Sequence, residues 1–284
     1  MNPFLENRKR ISLDGTINTR DMGGIVTEDG HHLRKGLAFR SDALNRLSPR
    51  DVAFWESQNL RLILDVRSPS EQERFPDVEI PRADHEILTI QHEVDLDHIL
   101  QEPIHPKTYP DVKDPYWQNF LPFLYRYDPH GDMHQGFPRM YSMMPLDPVT
   151  QAHIHDAFSL LLNKDREGAF VVHCKDGKDR TGFFCYLFLS ALGVSYEEVL
   201  RDYLISRENE ETRARAMAKE AKEAGIDDPV LLESIYWINT VDETNLAALK
   251  ASLERHYGSV QSYLRQIIGL SEEDLAQLRD RYLE

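Results

Sequence analysis

A ten-residue loop between two apolar segments constrains the fold of this chain more than any other feature. Residues 169–173 form a short, largely apolar and β-branched run that ends at His173, which is typical of a buried β-strand. The segment from Phe183 to Leu192 is apolar almost all round and stops at Gly193, which predicts a buried helix. A second apolar run, residues 60–66, reads as a partner strand. We therefore predict an α/β fold with a mostly parallel sheet.

The loop itself, residues 173–182, reads His-Cys-Lys-Asp-Gly-Lys-Asp-Arg-Thr-Gly. Amides at a helix N-terminus and the helix dipole favour an anion in such a loop. The same field, together with Lys175, Lys178 and Arg180, should hold Cys174 as a thiolate nucleophile. Arg180 can offer two parallel N–H donors to phosphate oxygens. The loop therefore predicts cleavage of a phosphate monoester.

The spacing Cys-x5-Arg followed by Thr-Gly resembles the signature loop of the cysteine-based protein and lipid phosphatases. Further segments resemble the bacterial tyrosine and lipid phosphatases whose loop reads His-Cys-x-x-Gly-Lys-Asp-Arg-Thr-Gly. These segments are residues 18–24, 39–42, 64–68 with Glu71, 192–195, 202–206 and 269–283. The likeness runs from about residue 11 to the C-terminus, apart from roughly residues 92–137. It implies a protein-tyrosine-phosphatase-like fold. Residues 24–41 alternate and turn at residues 28–30, which independently predicts an N-terminal hairpin, and the helical signals predict a helical C-terminal half.

The resemblance and the loop chemistry together assign roles to the loop residues. Cys174 would attack phosphorus to give a phosphocysteine, which water then hydrolyses, while Arg180 binds the phosphoryl oxygens. His173 would support the loop, and Thr181 could hydrogen-bond the sulfur. The residues expected to contact substrate are Lys175, Asp176, Gly177, Lys178, Thr181 and Gly182.

The leaving oxygen needs a proton, and Asp179 is the first candidate for this general acid because the resembled family carries a candidate acid at this position. A loop aspartate from elsewhere is the rival, and Asp65, Asp114, Asp128 and Asp132 are available. Asp179 could instead be a structural partner of Arg180 or Lys178. The sequence leaves these alternatives open.

Two lysines bear on the substrate. Lys175 and Lys178 occupy positions that are also lysine in a phosphoinositide phosphatase, so the resemblance implies that phosphoinositides are possible beside phosphotyrosine. Asp176 replaces the small residue expected there, and its carboxylate would disfavour a second phosphate if it faced inward. Alternatively, Asp176 points to solvent or pairs with Lys175. We predict a protein-tyrosine phosphatase, possible dual specificity or phosphoinositide activity, and as an alternative a phosphate-binding module without turnover.

We expect one domain over residues 1–284. Helices should dominate the second half, with a helical subdomain at about 205–258 that is broken near residues 225–229 and Asp242. Residues 92–137 are rich in proline and aromatic residues without a sustained period, which favours a lid over the site. A surface excursion that packs its own aromatic side chains is the alternative.

Composition adds exclusions. A net charge of −15 argues against non-specific binding of nucleic acid or of anionic membranes. No run of eighteen apolar residues appears, and the first ten residues lack the apolar core of a signal peptide. The two cysteines suggest no structural disulfide, and the histidine pairs lack partners at zinc spacing. We expect a cytoplasmic enzyme without metal or cofactor that acts on a phosphorylated protein or phosphoinositide, with export by another route and oligomeric state left open.

Overall fold

A five-stranded sheet forms the centre of the protein. The computed structural model describes residues 10–90 and 133–284, with side chains from Phe137 onward in the second range. The strand order is β1-β2-β5-β3-β4, and all neighbours are parallel except β1, which runs antiparallel to β2. The strands are β1 (Arg20–Asp21), β2 (Ala38–Ser41), β3 (Leu60–Asp65), β4 (Asp84–Ile87) and β5 (Ala169–His173). The mostly parallel α/β fold predicted from the sequence is confirmed.

Helices cover the sheet and make up the second half of the chain, as predicted. In the first half lie α1 (Pro49–Ser57) and α2 (Pro69–Arg74). The later helices are α3 (Met133–Met143), α4 (Pro148–Leu162), α5 (Asp179–Ala191), α6 (Tyr196–Glu223), α7 (Pro229–Ile238), α8 (Glu243–Tyr257), α9 (Val260–Gln266) and α10 (Glu272–Tyr282).

Strand β5 is buried on both faces and so ties two cores together. Phe170 and Val172 pack into the larger core with α5 and the C-terminal helices, whereas Ala169 and Val171 face a smaller core that contains Trp55 of α1. Side chains alternate across a strand, so an apolar run without polar interruption fits a strand covered on both sides. This double burial fixes the position of the loop that follows β5.

The helix starts follow the local sequence. Ser48 caps α1 with a full capping box and Pro49 in the first turn, and Asp147 caps α4. Helix α5 begins at Asp179, four residues earlier than the apolar run suggests, because the end of the loop forms its first turn. The Ser195 hydroxyl accepts a hydrogen bond from the Glu198 amide at the start of α6.

The segment that the sequence proposes as a lid, residues 92–137, lies outside the described residues, apart from its last residues in α3. Within the described ranges, no helix combines the length and the apolar character needed to cross a bilayer.

Candidate active site

The ends of three parallel strands bring the loop and its neighbours to one edge of the sheet. His173 at the end of β5 is in register with Ser41 of β2 and with Asp65 of β3. Cys174 follows directly and is 2% exposed. This is the carboxyl edge of the sheet, where open α/β proteins bind their ligands.

Glycine is required in the middle of the loop. Gly177 has a φ of 67°, and a Cβ there would lie 2.4 Å from the carbonyl oxygen of Ser41. A side chain at this position would meet both backbone strain and a clash with β2. Gly177 therefore lets the loop lie directly on the end of the neighbouring strand.

Three successive loop carbonyls point away from the loop centre and accept hydrogen bonds from donors in the N-terminal segment. The carbonyl of Lys175 accepts from the Ala43 amide at 3.0 Å, and that of Asp176 from Asn18 Nδ2 at 2.9 Å. The Gly177 carbonyl accepts from Arg40 Nη2 at 3.0 Å. In a trans peptide the N–H points opposite to the C=O. The next three amides, of residues 176–178, are thereby directed into the loop, where they can receive an anion.

Arg180, in the first turn of α5, is held by Glu71 of α2. Its Nη1 lies 2.5 Å from Glu71 Oε2, and its Nη2 lies 2.9 Å from Oε1. Burial opposes the charge of both groups, but the attraction between them is stronger than this effect. The pKa of Glu71 therefore lies well below its usual range, and the pKa of Arg180 lies above its usual range. The end of the guanidinium faces Glu71, which leaves the edge that carries Nε for a phosphate.

Asp179 and Lys178 pair with each other and with neighbouring elements. Asp179 Oδ2 lies 2.9 Å from Lys178 Nζ, and Asp179 Oδ1 accepts from the hydroxyl of Tyr141 in α3 at 2.7 Å. The Lys178 ammonium is buried and donates to the carbonyls of Ile238 and Thr240 at 2.8 and 3.2 Å. Lys178 thus fastens the loop to the end of α7, while Asp179 remains 18% exposed.

Asp176 pairs with a residue that sequence reasoning did not single out. Arg213 of α6 donates from Nη2 to Asp176 Oδ1 at 2.8 Å and also lies 2.9 Å from Glu210 through Nε. Burial opposes the charge of Asp176, but Arg213, Lys175 and Lys178 outweigh it and hold the pKa of that carboxyl below its ordinary range. Burial, with Asp176 nearby, raises the pKa of Glu210 to about 8.

His173 lies below the loop in a buried group of charged side chains. Its Nδ1 is 3.2 Å from the Cys174 carbonyl, and its Nε2 is 2.9 Å from Asp77. Burial opposes protonation, but Asp65 and Asp77 outweigh it and raise the pKa of His173. Asp65, first considered as a rival acid, is fully buried and binds Arg67 through both carboxylate oxygens. The other rivals, residues 114, 128 and 132, lie outside the described residues.

The same group is the place where a cation could bind among the described residues. Ligand atoms of Asp65, Asp77, His85 and His173 lie within 4.8 Å of one another. Arg67 Nη2 already lies 2.6 Å from Asp65 and 3.0 Å from Asp77. The guanidinium therefore supplies positive charge that a metal ion would otherwise bring to these carboxylates.

The last two loop residues are buried under α6. The Thr181 hydroxyl has no hydrogen-bond partner within the part of the chain that the structure describes. A Cβ on Gly182 would lie 3.0 Å from the Tyr203 ring. Gly182 therefore allows close packing of α5 on α6, and among the described residues the Thr181 hydroxyl makes no hydrogen bond to the Cys174 sulfur.

A buried triad explains the early sequence motifs. Arg40 Nη1 lies 2.5 Å from Asp202 Oδ2, and Arg20 Nε lies 3.1 Å from Asp202 Oδ1. All three side chains are at most 1% exposed. Since Arg40 also donates to Gly177, the triad connects α6 to the loop. The sequence signal for this triad was the family resemblance at residues 18–24, 39–42 and 202–206, which gave no distances.

Asp202→Asn should lower the free energy of unfolding by about 3 kcal/mol, because it leaves two buried guanidinium groups without a full counter-charge. The pKa of Asp202 lies below its ordinary range since both arginines outweigh burial. Its contribution is therefore present at neutral pH and above the ordinary carboxyl pKa, and is lost as the pH falls through the lowered value. Urea unfolding followed by circular dichroism at pH 7 measures the change.

Glu254→Gln is the matched control, because Glu254 pairs with Lys250 on the surface of α8 and is 51% exposed. Such a pair contributes less than about 1 kcal/mol. If both variants lost the same free energy of unfolding, the triad would not stabilise the protein more than a surface ion pair does.

Comparison with known proteins agrees with the site. The model of the tyrosine phosphatase family matches residues 11–284. A protein of Cupriavidus necator, provisionally named a tyrosine-protein phosphatase, is 27% identical over 98% of this chain and 90% of its own length. The triple specificity protein phosphatase PtpB of Mycobacterium tuberculosis is 25% identical over 94% of this chain and 96% of its own. A tyrosine-protein phosphatase of Nostoc commune is 32% identical over 41% of this chain and 40% of its own length. The chain belongs to the tyrosine phosphatase family and is a phosphatase of the protein-tyrosine-phosphatase type.

Proposed function

We propose that the chain hydrolyses phosphotyrosine through a phosphocysteine intermediate at Cys174. The observation that carries this proposal is the orientation of the loop. Three of its carbonyls are anchored outward, which directs the next three amides into the loop that follows Cys174. The Arg180 guanidinium, fixed by Glu71, completes a cradle for a tetrahedral dianion. The second candidate function is a dual-specificity phosphatase, which the name of the relative PtpB, a triple specificity protein phosphatase, favours.

In the first step the Cys174 thiolate attacks phosphorus in line with the departing oxygen. The S–P bond forms as the P–O bond to the substrate breaks, and the inward amides with Arg180 hold the remaining phosphoryl oxygens. The departing oxygen takes a proton from the general acid. In the second step water attacks phosphorus, its proton passes to the same group, and the S–P bond breaks to restore the thiolate and release phosphate.

Asp179 remains our candidate for the acid. It sits one residue before Arg180 at the start of α5 and is the more exposed partner of its ion pair with Lys178. Both of its carboxylate oxygens contact donors, Tyr141 on one side and Lys178 on the other. To carry a proton to the substrate, Asp179 must exchange one of these contacts for the leaving oxygen. Tyr141, which follows the undescribed segment by nine residues, is placed to control that exchange.

The decisive experiment combines turnover with trapping of the intermediate. Wild-type protein should release phosphate from p-nitrophenyl phosphate and from a phosphotyrosine peptide. Rapid quenching in an alkaline denaturant, in which the S–P bond is stable, should give a peptide containing Cys174 that carries one extra phosphoryl group by mass spectrometry. A protein that binds vanadate but turns over neither substrate would be the phosphate-binding module instead.

Asp179→Asn should slow hydrolysis of substrates with poor leaving groups much more than of those with good ones. We expect about a 10²-fold loss of kcat for alkyl or unsubstituted phenyl phosphates and a loss of only a fewfold for p-nitrophenyl phosphate. The reason is that a good leaving group departs without a proton. A series of aryl phosphates of graded phenol acidity measures this as a steeper dependence of kcat on the leaving group.

Tyr141→Phe is the companion variant, since it removes the hydroxyl that donates to Asp179 while it keeps the ring. It should shift the leaving-group dependence in the same sense by a smaller factor. If Asp179→Asn slowed all leaving groups equally, the acid would have to be sought elsewhere.

A further inference from the structure

The carboxylates around the loop match its cations almost one to one. Arg180 pairs with Glu71, Lys178 with Asp179, and Arg213 with Asp176, at distances of 2.5, 2.9 and 2.8 Å. Such pairing leaves little surplus positive charge beyond the loop amides and the helix dipole. A site of this kind suits the dianion of one phosphate better than two neighbouring phosphates.

The Asp176–Arg213 pair differs from the other two in its position. Its cation, Arg213, is 28% exposed, whereas Arg180 and Lys178 are 7% and 2% exposed. The charge of Asp176 also acts on Lys175 and Lys178, the two lysines that would otherwise attract a further anion. Because Asp176 follows Cys174 by two residues, its charge also acts close to the reacting phosphate.

Arg213 has a second contact, with the side chain of Glu210 on its own helix. Its Nε lies 2.9 Å from the fully buried Glu210, one turn earlier on α6, while its Nη2 points to Asp176. Replacement of Asp176 leaves this contact within α6 in place, and it removes a charge that raises the pKa of Glu210. Arg213 is thus a cation that could bind a second phosphate, but its Nη2 is already paired with the Asp176 carboxylate.

We propose that Asp176, held by Arg213, makes this phosphatase discriminate against substrates that carry a second phosphate next to the one that is cleaved. This inference rests on the proposed function, since it concerns the substrate class of the same site. It assigns the site to monophosphorylated groups such as phosphotyrosine. Loss of the Asp176 charge removes a like-charge contact and frees Arg213 for the second phosphate.

The test compares two competitive inhibitors of p-nitrophenyl phosphate hydrolysis. One is inorganic phosphate and the other a soluble inositol bisphosphate with phosphates on neighbouring carbons. Asp176→Asn keeps the size of the side chain and an oxygen for Arg213. We expect it to raise the ratio of Ki for phosphate to Ki for the bisphosphate about tenfold over wild type. Asp176→Asn with Arg213→Gln should bring the ratio back towards the wild-type value.

Glu223→Gln is the matched control, because it removes one carboxylate from an exposed position at the end of the same helix, α6. It should leave the ratio unchanged. An unchanged ratio in Asp176→Asn, or an equal rise in Glu223→Gln, would overturn the proposal. A ratio that stays raised in the double variant would overturn the part played by Arg213.

A second variant covers the case in which Asp176→Asn fails to fold. Arg213→Gln leaves the Asp176 carboxylate without its partner and should lower the ratio below wild type, and a ratio that stayed equal or rose would contradict the proposal. Absence of p-nitrophenyl phosphate turnover in wild type would instead count against the proposed function. The same ratio of dissociation constants, measured by calorimetry, would then still decide the discrimination.

Discussion

Replacement of Cys174 by serine should reduce hydrolysis of p-nitrophenyl phosphate by about 10⁴-fold or more. A serine hydroxyl stays protonated unless a base removes its proton. Among the described residues the nearest histidine, His173, cannot be that base, because its Nδ1 contacts the Cys174 carbonyl and its Nε2 contacts Asp77. The attacking atom would therefore remain a neutral hydroxyl. The measurement is kcat under saturating substrate, with phosphate release assayed independently of the chromophore.

Binding should survive this substitution. The inward amides and Arg180 are untouched, so Cys174→Ser should still bind phosphate or a phosphotyrosine peptide in calorimetry. Cys185→Ala is the control, since burial raises the pKa of the Cys185 thiol to about 11 and this thiol is neutral at pH 7. It should keep kcat within a fewfold. Turnover by Cys174→Ser above a few per cent of wild type would contradict the nucleophile assignment.

Local patterns were sufficient to predict the elements that carry the site. The buried strand Ala169–His173 was predicted to the residue because double burial leaves an uninterrupted apolar run between polar ends. Capping likewise depends on residues adjacent in sequence, as at Ser48 and Asp147. Helix α5 began earlier than predicted because its first turn is made of loop residues that the apolar period does not mark.

Long-range pairing could not be predicted in the same way. Arg213 lies 37 residues after Asp176 and is brought to it only by the packing of α6 against the loop. Glu71 and Arg180 are 109 residues apart. Charged residues are abundant in this chain, and their spacing in sequence carries no information on which of them meet. The candidate reacting residues could therefore be predicted from the sequence, whereas their ion-pair partners could be identified only from the fold.

The partners matter because they decide how much of each charge is available to the substrate. Lys178 looks like a phosphate ligand in the sequence, yet its ammonium donates to the carbonyls of Ile238 and Thr240 inside the protein. Asp176 looks like an obstacle to any anion, yet Arg213 offsets it. In the mechanism that we propose, a dianionic substrate then depends chiefly on directed amides and on one arginine. The precision with which Arg180 is positioned then limits how tightly the transition state is bound.

Arg180→Lys should lower kcat/KM for p-nitrophenyl phosphate by at least about 10³-fold, because an ammonium cannot pair with Glu71 and also give two parallel donors to the phosphoryl oxygens. Glu71→Gln tests the role of the partner. The amide keeps the size of the carboxylate but can pair with one guanidinium nitrogen only, so Arg180 becomes less ordered, and we expect about a tenfold loss of kcat/KM. Steady-state kinetics at pH 7 measures both.

The sign of the Glu71→Gln effect separates two roles for the ion pair. If Glu71 positions Arg180 for catalysis, its removal lowers kcat/KM, and Arg180→Lys combined with Glu71→Gln is no worse than Arg180→Lys alone. If Glu71 competed with the substrate for the guanidinium, Glu71→Gln would raise kcat/KM instead. Glu73→Gln, an exposed carboxylate on the same helix α2, controls for the change in net charge and should behave as wild type. The end-on pairing through Nη1 and Nη2 favours positioning, because it leaves the Nε edge of Arg180 directed to the phosphate.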